Sequence, residues 1–211
     1  MTVLSDIRTL VRRDLKDEDA QAYRWTNDEI DRAIARALEE LSLAIPREMK
    51  STVATTSGSA AISLSAVSGI ANLISVDRVE FPIDSMPREY RRFTLYLETT
   101  ITLIDGQQGD GENCYVYWSS LHTLDGSVCT LQARFFSLLT AGAAAYAALS
   151  LAQYSSDRAN TGGENVDRDY TFWGRDRLAW FKDGLRLHGR RSKLRQSRLY
   201  PETDHKGSDY E

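Results

Sequence analysis

Only two cysteines and three histidines occur in the 211 residues of this chain. Cys114 and Cys129 are too few for a disulfide scaffold or a thiolate zinc cluster; they read as small buried hydrophobes. His122, His188 and His205 lie far apart and share no ligand spacing. No glycine-rich phosphate loop, HExxH helix or nucleophile elbow is present. The run DGQQGDGEN lacks the ordered acids and terminal Glu of an EF-hand loop and reads as a hairpin turn. The sequence thus offers no catalytic motif, no metal site and no cofactor site, and the expectation is a protein that is not an enzyme. The opening MTVLSDIRTLVRRDLKDED gains charge too early for the apolar stretch of a secretion signal. Synthesis in a reducing cytoplasm is expected.

The length fits one large domain or two small ones, and the 42% apolar and 27% charged fractions are ordinary for a globular protein. A net charge of −4 provides no global attraction for nucleic acid. The organising stretch is LQARFFSLLTAGAAAYAALSLAQY, residues 131–154, uncharged from Phe135 to Ala152. Its Ala and Leu content predicts a helix of about six turns that is buried on most sides. The stretch just meets the length of a membrane span. It is Ala-rich, however, carries Ser137, Thr140 and Ser150, and lacks a positive-inside flank, so a central core helix and no membrane partner are expected.

Two further helices precede it. Leu4, Ile7, Leu10, Val11 and Leu15 recur at helical spacing, with Arg8, Arg12 and Arg13 predicted to turn away. The acidic loop Asp17, Glu18, Asp19 follows. Thr26 and Glu29 then form a capping box, flanked by the staple pair Trp25 and Ile30. Ile30, Ala33, Ile34, Ala37, Leu38, Leu41 and Ile45 make one apolar face that Pro46 terminates.

Residues 50–129 change character, with Thr, Ser, Val, Ile and Tyr in short runs between turn residues. Strands are expected at 52–56 and 61–64 around Ser57-Gly58-Ser59, and at 74–81, 93–97, 99–104 and 115–118. Residues 89–92 read as a polar connection or short helix. After the central helix, residues 155–169 read as a loop. Phe172, Trp173, Leu178, Ala179, Phe181 and Leu185 then suggest a helix weakened by Gly174 and Gly184. The fold class is α+β: a helical bundle body from residues 1–49 and 130–195, an inserted small antiparallel β region at 50–129 and a C-terminal helix or arm, with a polar tail at 196–211.

Charge is distributed unevenly. Arg186, Arg190, Arg191, Lys193, Arg195 and Arg198 fall in thirteen residues with no acid. Such a run contacts phosphates or docks on an acidic protein surface; as a bare solvated helix end it would need none of the interleaved Leu185, Leu187, Leu194 and Leu199. Phe172, Trp173, Trp180 and Phe181 form an aromatic cluster that suits either a core or a subunit interface.

Taken in order, YRWTNDEIDRAIARALEEL, the β region, YVYWSSLHTLDGSVCTLQARFFSLLTAGAAAYAA and the Arg-rich helix resemble the head–tail adaptor (connector) proteins of tailed bacteriophages. The likeness covers most of residues 1–195 and rests on structural signatures. It implies a virion protein in the phage neck, made in the host cytoplasm. Such a protein forms a homo-oligomeric ring of about twelve copies around the DNA channel. Its partners would be the portal above, a downstream neck or tail protein below, and transiently the genomic DNA. The basic residues would supply the portal or DNA contact, and the aromatic cluster the subunit interface. Two other readings compete: another neck protein, such as a head-closure or tail-terminator factor, and a DNA-binding module using residues 186–198, although no helix-turn-helix with a basic recognition helix is present.

Overall fold

The computed structural model describes residues 3–96, 99–104, 106, 108–156 and 166–196. It is mixed α and β, with four helices and two antiparallel sheets. Helix α1 spans Leu4–Leu15 and α2 Asn27–Ala44. The capping box forms as its residue types require: the Glu29 backbone N–H donates to Thr26 Oγ1 at 3.3 Å, and the Thr26 N–H donates to the Glu29 carboxylate at 2.7 Å. Trp25 and Ile30 are both buried, and the helix stops one residue before Ile45-Pro46.

Arg12 corrects the first-helix expectation. It is only 5% exposed, its guanidinium bonded to the Asp17 carboxylate and, at 2.9 Å, to both the Trp25 carbonyl and Asn27 Oδ1, beneath the Tyr23 ring. Asp17 in turn accepts the Arg24 backbone N–H at 2.8 Å. The acidic loop folds back over the last turn of α1 and brings a partner charge with it. A buried cation paired with a carboxylate and held by two further acceptors is tolerated where a lone one is not.

Helix α3, Phe136–Ser156, follows a single 3-10 turn at Ala133–Phe135, and α4 spans Val166–Gln196. Helix α3 packs against α1, α2 and α4. It therefore sits at the middle of a core built from Ile7, Val11, Trp25, Ile34, Leu139 and Phe181. The window Ala133–Ala152 is long and apolar enough to cross a membrane, yet 72% of it is buried inside the chain, as a core helix requires. Val166 to Asp169 belong to α4 and not to a loop; the remainder of that polar stretch, 157–165, lies outside the described residues.

Among the described residues the β region holds seven strands, one more than the six expected: β1 Arg47–Ala54, β2 Ala61–Ser63, β3 Leu73–Glu80, β4 Tyr90–Arg91, β5 Phe93–Tyr96, β6 Thr100–Leu103 and β7 Asn113–Ser120. They form a four-stranded sheet ordered β1-β7-β3-β4 and a three-stranded sheet ordered β2-β6-β5. Alternation along β7 turns Cys114, Val116 and Trp118 inward, where they meet Ile62, Leu64, Ile101 and Leu103 in a second core. Burial raises the Cys114 thiol to about 11, as fits a small interior hydrophobe.

Three β expectations change. Residues 90–91 pair with β3 as a strand and are neither polar connection nor helix. The Ser57-Gly58-Ser59 turn links two sheets: β1 pairs with β7, and β2 pairs with β6. The DGQQGDGEN segment is no hairpin turn either, because β6 pairs with β5 and β2 while β7 pairs with β1 and β3. The two turns lock together, with the Gly58 N–H on the Gly109 carbonyl at 2.8 Å and the Gly109 N–H on the Ser59 carbonyl at 2.7 Å. A Cβ on Gly109 would lie 2.6 Å from the Thr56 carbonyl oxygen, so this position admits only glycine. Turn composition marks where a chain bends. Which strands pair afterwards depends on distant residues.

Candidate functional site

Helix α4 is 31 residues long, about 46 Å at 1.5 Å per residue. Its inner side meets α3 and the end of α2 at close range, and its glycines make this approach possible. A Cβ on Gly174 would sit 2.9 Å from Leu149, and one on Gly184 2.5 Å from Leu138. One on Gly189 would sit 3.1 Å from the Ala44 carbonyl oxygen. From the other side, Gly142 of α3 leaves room for the Phe181 ring, whose atoms come within 2.8 Å of the missing Cβ. The glycines that propensity counted against this helix are what seat it.

The aromatic cluster divides between the two sides. Phe181 is fully buried, against Gly142 and edge-on to Tyr146, so it is removed from the set of surface contact candidates. Trp173 is half-buried against the helical core, with the Arg177 guanidinium over its ring. Phe172 is 80% exposed and Trp180 and Leu187 are each 51% exposed. At 3.6 residues per turn, positions 172, 180 and 187 fall within one outward sector of the helix. Leu187 belongs to this stripe beside the two aromatics; its 3.6-residue phase relative to Phe172 is the signal that identifies it.

The basic run continues from this stripe. Arg186 and Arg190 are exposed on α4, and Arg186 makes a solvent-exposed ion pair with Asp183 at 3.1 Å, which contributes little. Arg191, Lys193 and Arg195 belong to the last turns of α4. Arg198 lies outside the described residues. Residues 130–195 carry eleven bases and six acids, whereas residues 1–129 carry thirteen bases and twenty acids. The chain is thus electrically divided along its length.

The fold also brings together residues far apart in sequence. Strands β1 and β7 pair from Arg47 opposite Ser120, so the chain enters and leaves the β region at one place. A cleft of about 540 Å³ opens there, lined by Arg47, Glu48, His122, Arg134, Phe135 and His188 among others. His122 fastens the junction: its backbone N–H donates to Ser42 Oγ at 3.0 Å, and its ring lies 3.0 Å from the Ile45 carbonyl and 3.2 Å from Thr130 Oγ1. Burial lowers its pKa, helped by the nearby Arg47 charge, so the ring is held neutral. His188 packs edge-on to Phe135 with centroids 5.2 Å apart. His122 and His188 share this cleft although their spacing in sequence follows no pattern; pairing of the first and last strands is what makes them neighbours. Among the described residues no three His, Cys, Asp or Glu side chains group as metal ligands would.

No family model matches the chain, and no curated protein matches it either.

Proposed function

We propose that this chain is a non-enzymatic structural protein of a tailed-phage virion: a head–tail adaptor that assembles as a ring of about twelve copies beneath the portal and around the DNA channel. In this reading the four helices are a bundle body, the sheets an inserted β region facing a downstream neck or tail protein, and the end of α4 an arm for the portal. The observation that carries it is the outward stripe of Phe172, Trp180 and Leu187 on a helix whose other side is already packed. Large apolar side chains aligned on one exposed sector are characteristic anchors of a protein interface. The stripe leads into a basic helix end on an otherwise acidic chain. That separation leaves most of the surface unable to grip DNA while keeping cations for docking.

Native mass spectrometry of the protein, alone and mixed with its portal, tests this reading. A ring, or a monomer that assembles only on the portal, is expected. Changing Arg190, Arg191 and Arg195 together to Glu should abolish portal binding and leave the circular dichroism spectrum unchanged. Undiminished portal binding by that variant removes the arm, and a monomer or dimer that ignores the portal but shifts with DNA favours the nucleic-acid module instead.

A further inference from the structure

The cleft at the junction of the two cores is cationic and incompletely satisfied. Arg47 and Arg134 take part in no ion pair among the described residues; the Arg134 guanidinium rests only on the Phe135 ring, 4.7 Å from its centroid. The His188 ring makes no hydrogen bond among the described residues, and its one aromatic neighbour is Phe135. His122 differs, because both its ring nitrogens are engaged by the framework. It forms a fixed wall. Among the described residues Glu48 is the single carboxylate in the lining.

Ile45, Pro46 and Phe135 give the same cleft an apolar wall. Its volume of about 540 Å³ accommodates a few side chains. Guanidinium forks bind both carboxylates and phosphates. The apolar wall decides between them: a duplex backbone would meet the rim and leave Phe135 and Pro46 uncovered, whereas a peptide can place an apolar side chain there between two acids. Glu48, the one acid lining the cleft among the described residues, opposes a continuous run of phosphates more than it opposes separated carboxylates.

We infer that this cleft receives an acidic segment of a partner protein, seating carboxylates on Arg47 and Arg134 and an apolar side chain against Phe135 and Pro46. His188 and Gln132 supply further polar contacts at its edge. The cleft recognises such a segment whether or not the chain forms rings.

The test uses the full chain and a fluorescein-labelled peptide repeating Asp-Leu-Glu, followed by fluorescence anisotropy. A peptide repeating Asn-Leu-Gln and a short labelled DNA duplex serve as controls. The wild-type protein should bind the acidic peptide in preference to both controls, a comparison that needs no variant. R47Q/R134Q should weaken that binding at least about tenfold, with R47E/R134E weaker still and near-ultraviolet circular dichroism confirming the fold. R190E, at the described end of α4 and not among the residues lining the cleft, should retain it. Absence of acidic-peptide binding, equal binding of the neutral peptide, preference for the duplex, or undiminished binding by R47Q/R134Q overturns the inference. Loss of peptide binding in the α4-end variant instead also overturns it, by moving the site to the arm.

Discussion

On its inner side α4 presents Gly174, Phe181, Gly184 and Gly189 to the helical core; on its outer side it presents Phe172, Trp180 and Leu187 to solvent. The residue types overlap and the environments are opposite. Phe181 makes its contacts within the chain, in a slot that Gly142 leaves open. Phe172, eighty per cent exposed, makes almost none. The difference separates two environments that composition alone merges: one side of the helix holds the fold, and the other faces solvent.

Truncating the inner aromatic should produce the largest effect. Phe181→Ala removes a fully buried ring from the α3–α4 seam, and the helices cannot close the gap without moving their backbones. A loss of about 3–5 kcal/mol is expected, read as a large drop in the midpoint of urea unfolding. A loss below about 1 kcal/mol would show that the seam repacks easily and that the two sides of α4 differ less than their exposure indicates.

Filling the slot from the other side should act in the same direction and less strongly. In Gly142→Ala the new methyl would sit 2.8 Å from the Phe181 ring, closer than real Cβ contacts come. The ring must shift, at an expected expense of about 1–3 kcal/mol, even though alanine is the better helix former by about 1 kcal/mol. Thermal unfolding decides the sign: a raised Tm would mean that helix propensity outweighs close packing at this seam.

The helices were legible in the sequence because their determinants are local. Thr26 and Glu29 satisfy each other's backbone, and the Ala-rich stretch of α3 is both helix-forming and too apolar to remain exposed. Arg12 was not legible, since its burial depends on Asp17 arriving from the loop. The part played by Gly174 and Gly184 was not legible, because propensity describes an isolated helix, whereas close approach to Leu149 and Leu138 is a tertiary fact. In the β region every strand but β4 was visible and the pairing was not; Gly58 and Gly109 mark bends, and only long-range contact sends β2 to β6 and β1 to β7. The cleft residues were hidden for the same reason. Arg47 and His122 become neighbours only after β1 and β7 have paired.

The outer side should show the smallest effect on the fold and a large one on association. Changing Phe172, Trp180 and Leu187 together to Ala removes exposed apolar side chains from the outer side of the helix, and surface changes of this kind move stability by about 0.5 kcal/mol or less. Helix propensity favours alanine over both aromatics, so the dilute protein should melt at the same temperature or slightly higher. Association adds a second observable. A chain that assembles through this stripe gains apparent stability with concentration, because binding favours the folded form by mass action. The wild-type Tm should therefore climb as protein concentration rises, and the triple variant should lose that slope. A variant whose dilute Tm falls as far as that of Phe181→Ala would place the stripe in the fold, and an unchanged concentration slope would remove it from the interface. Only the combination of an intact dilute Tm and a lost slope separates the two sides of α4 into a folding face and an assembly face.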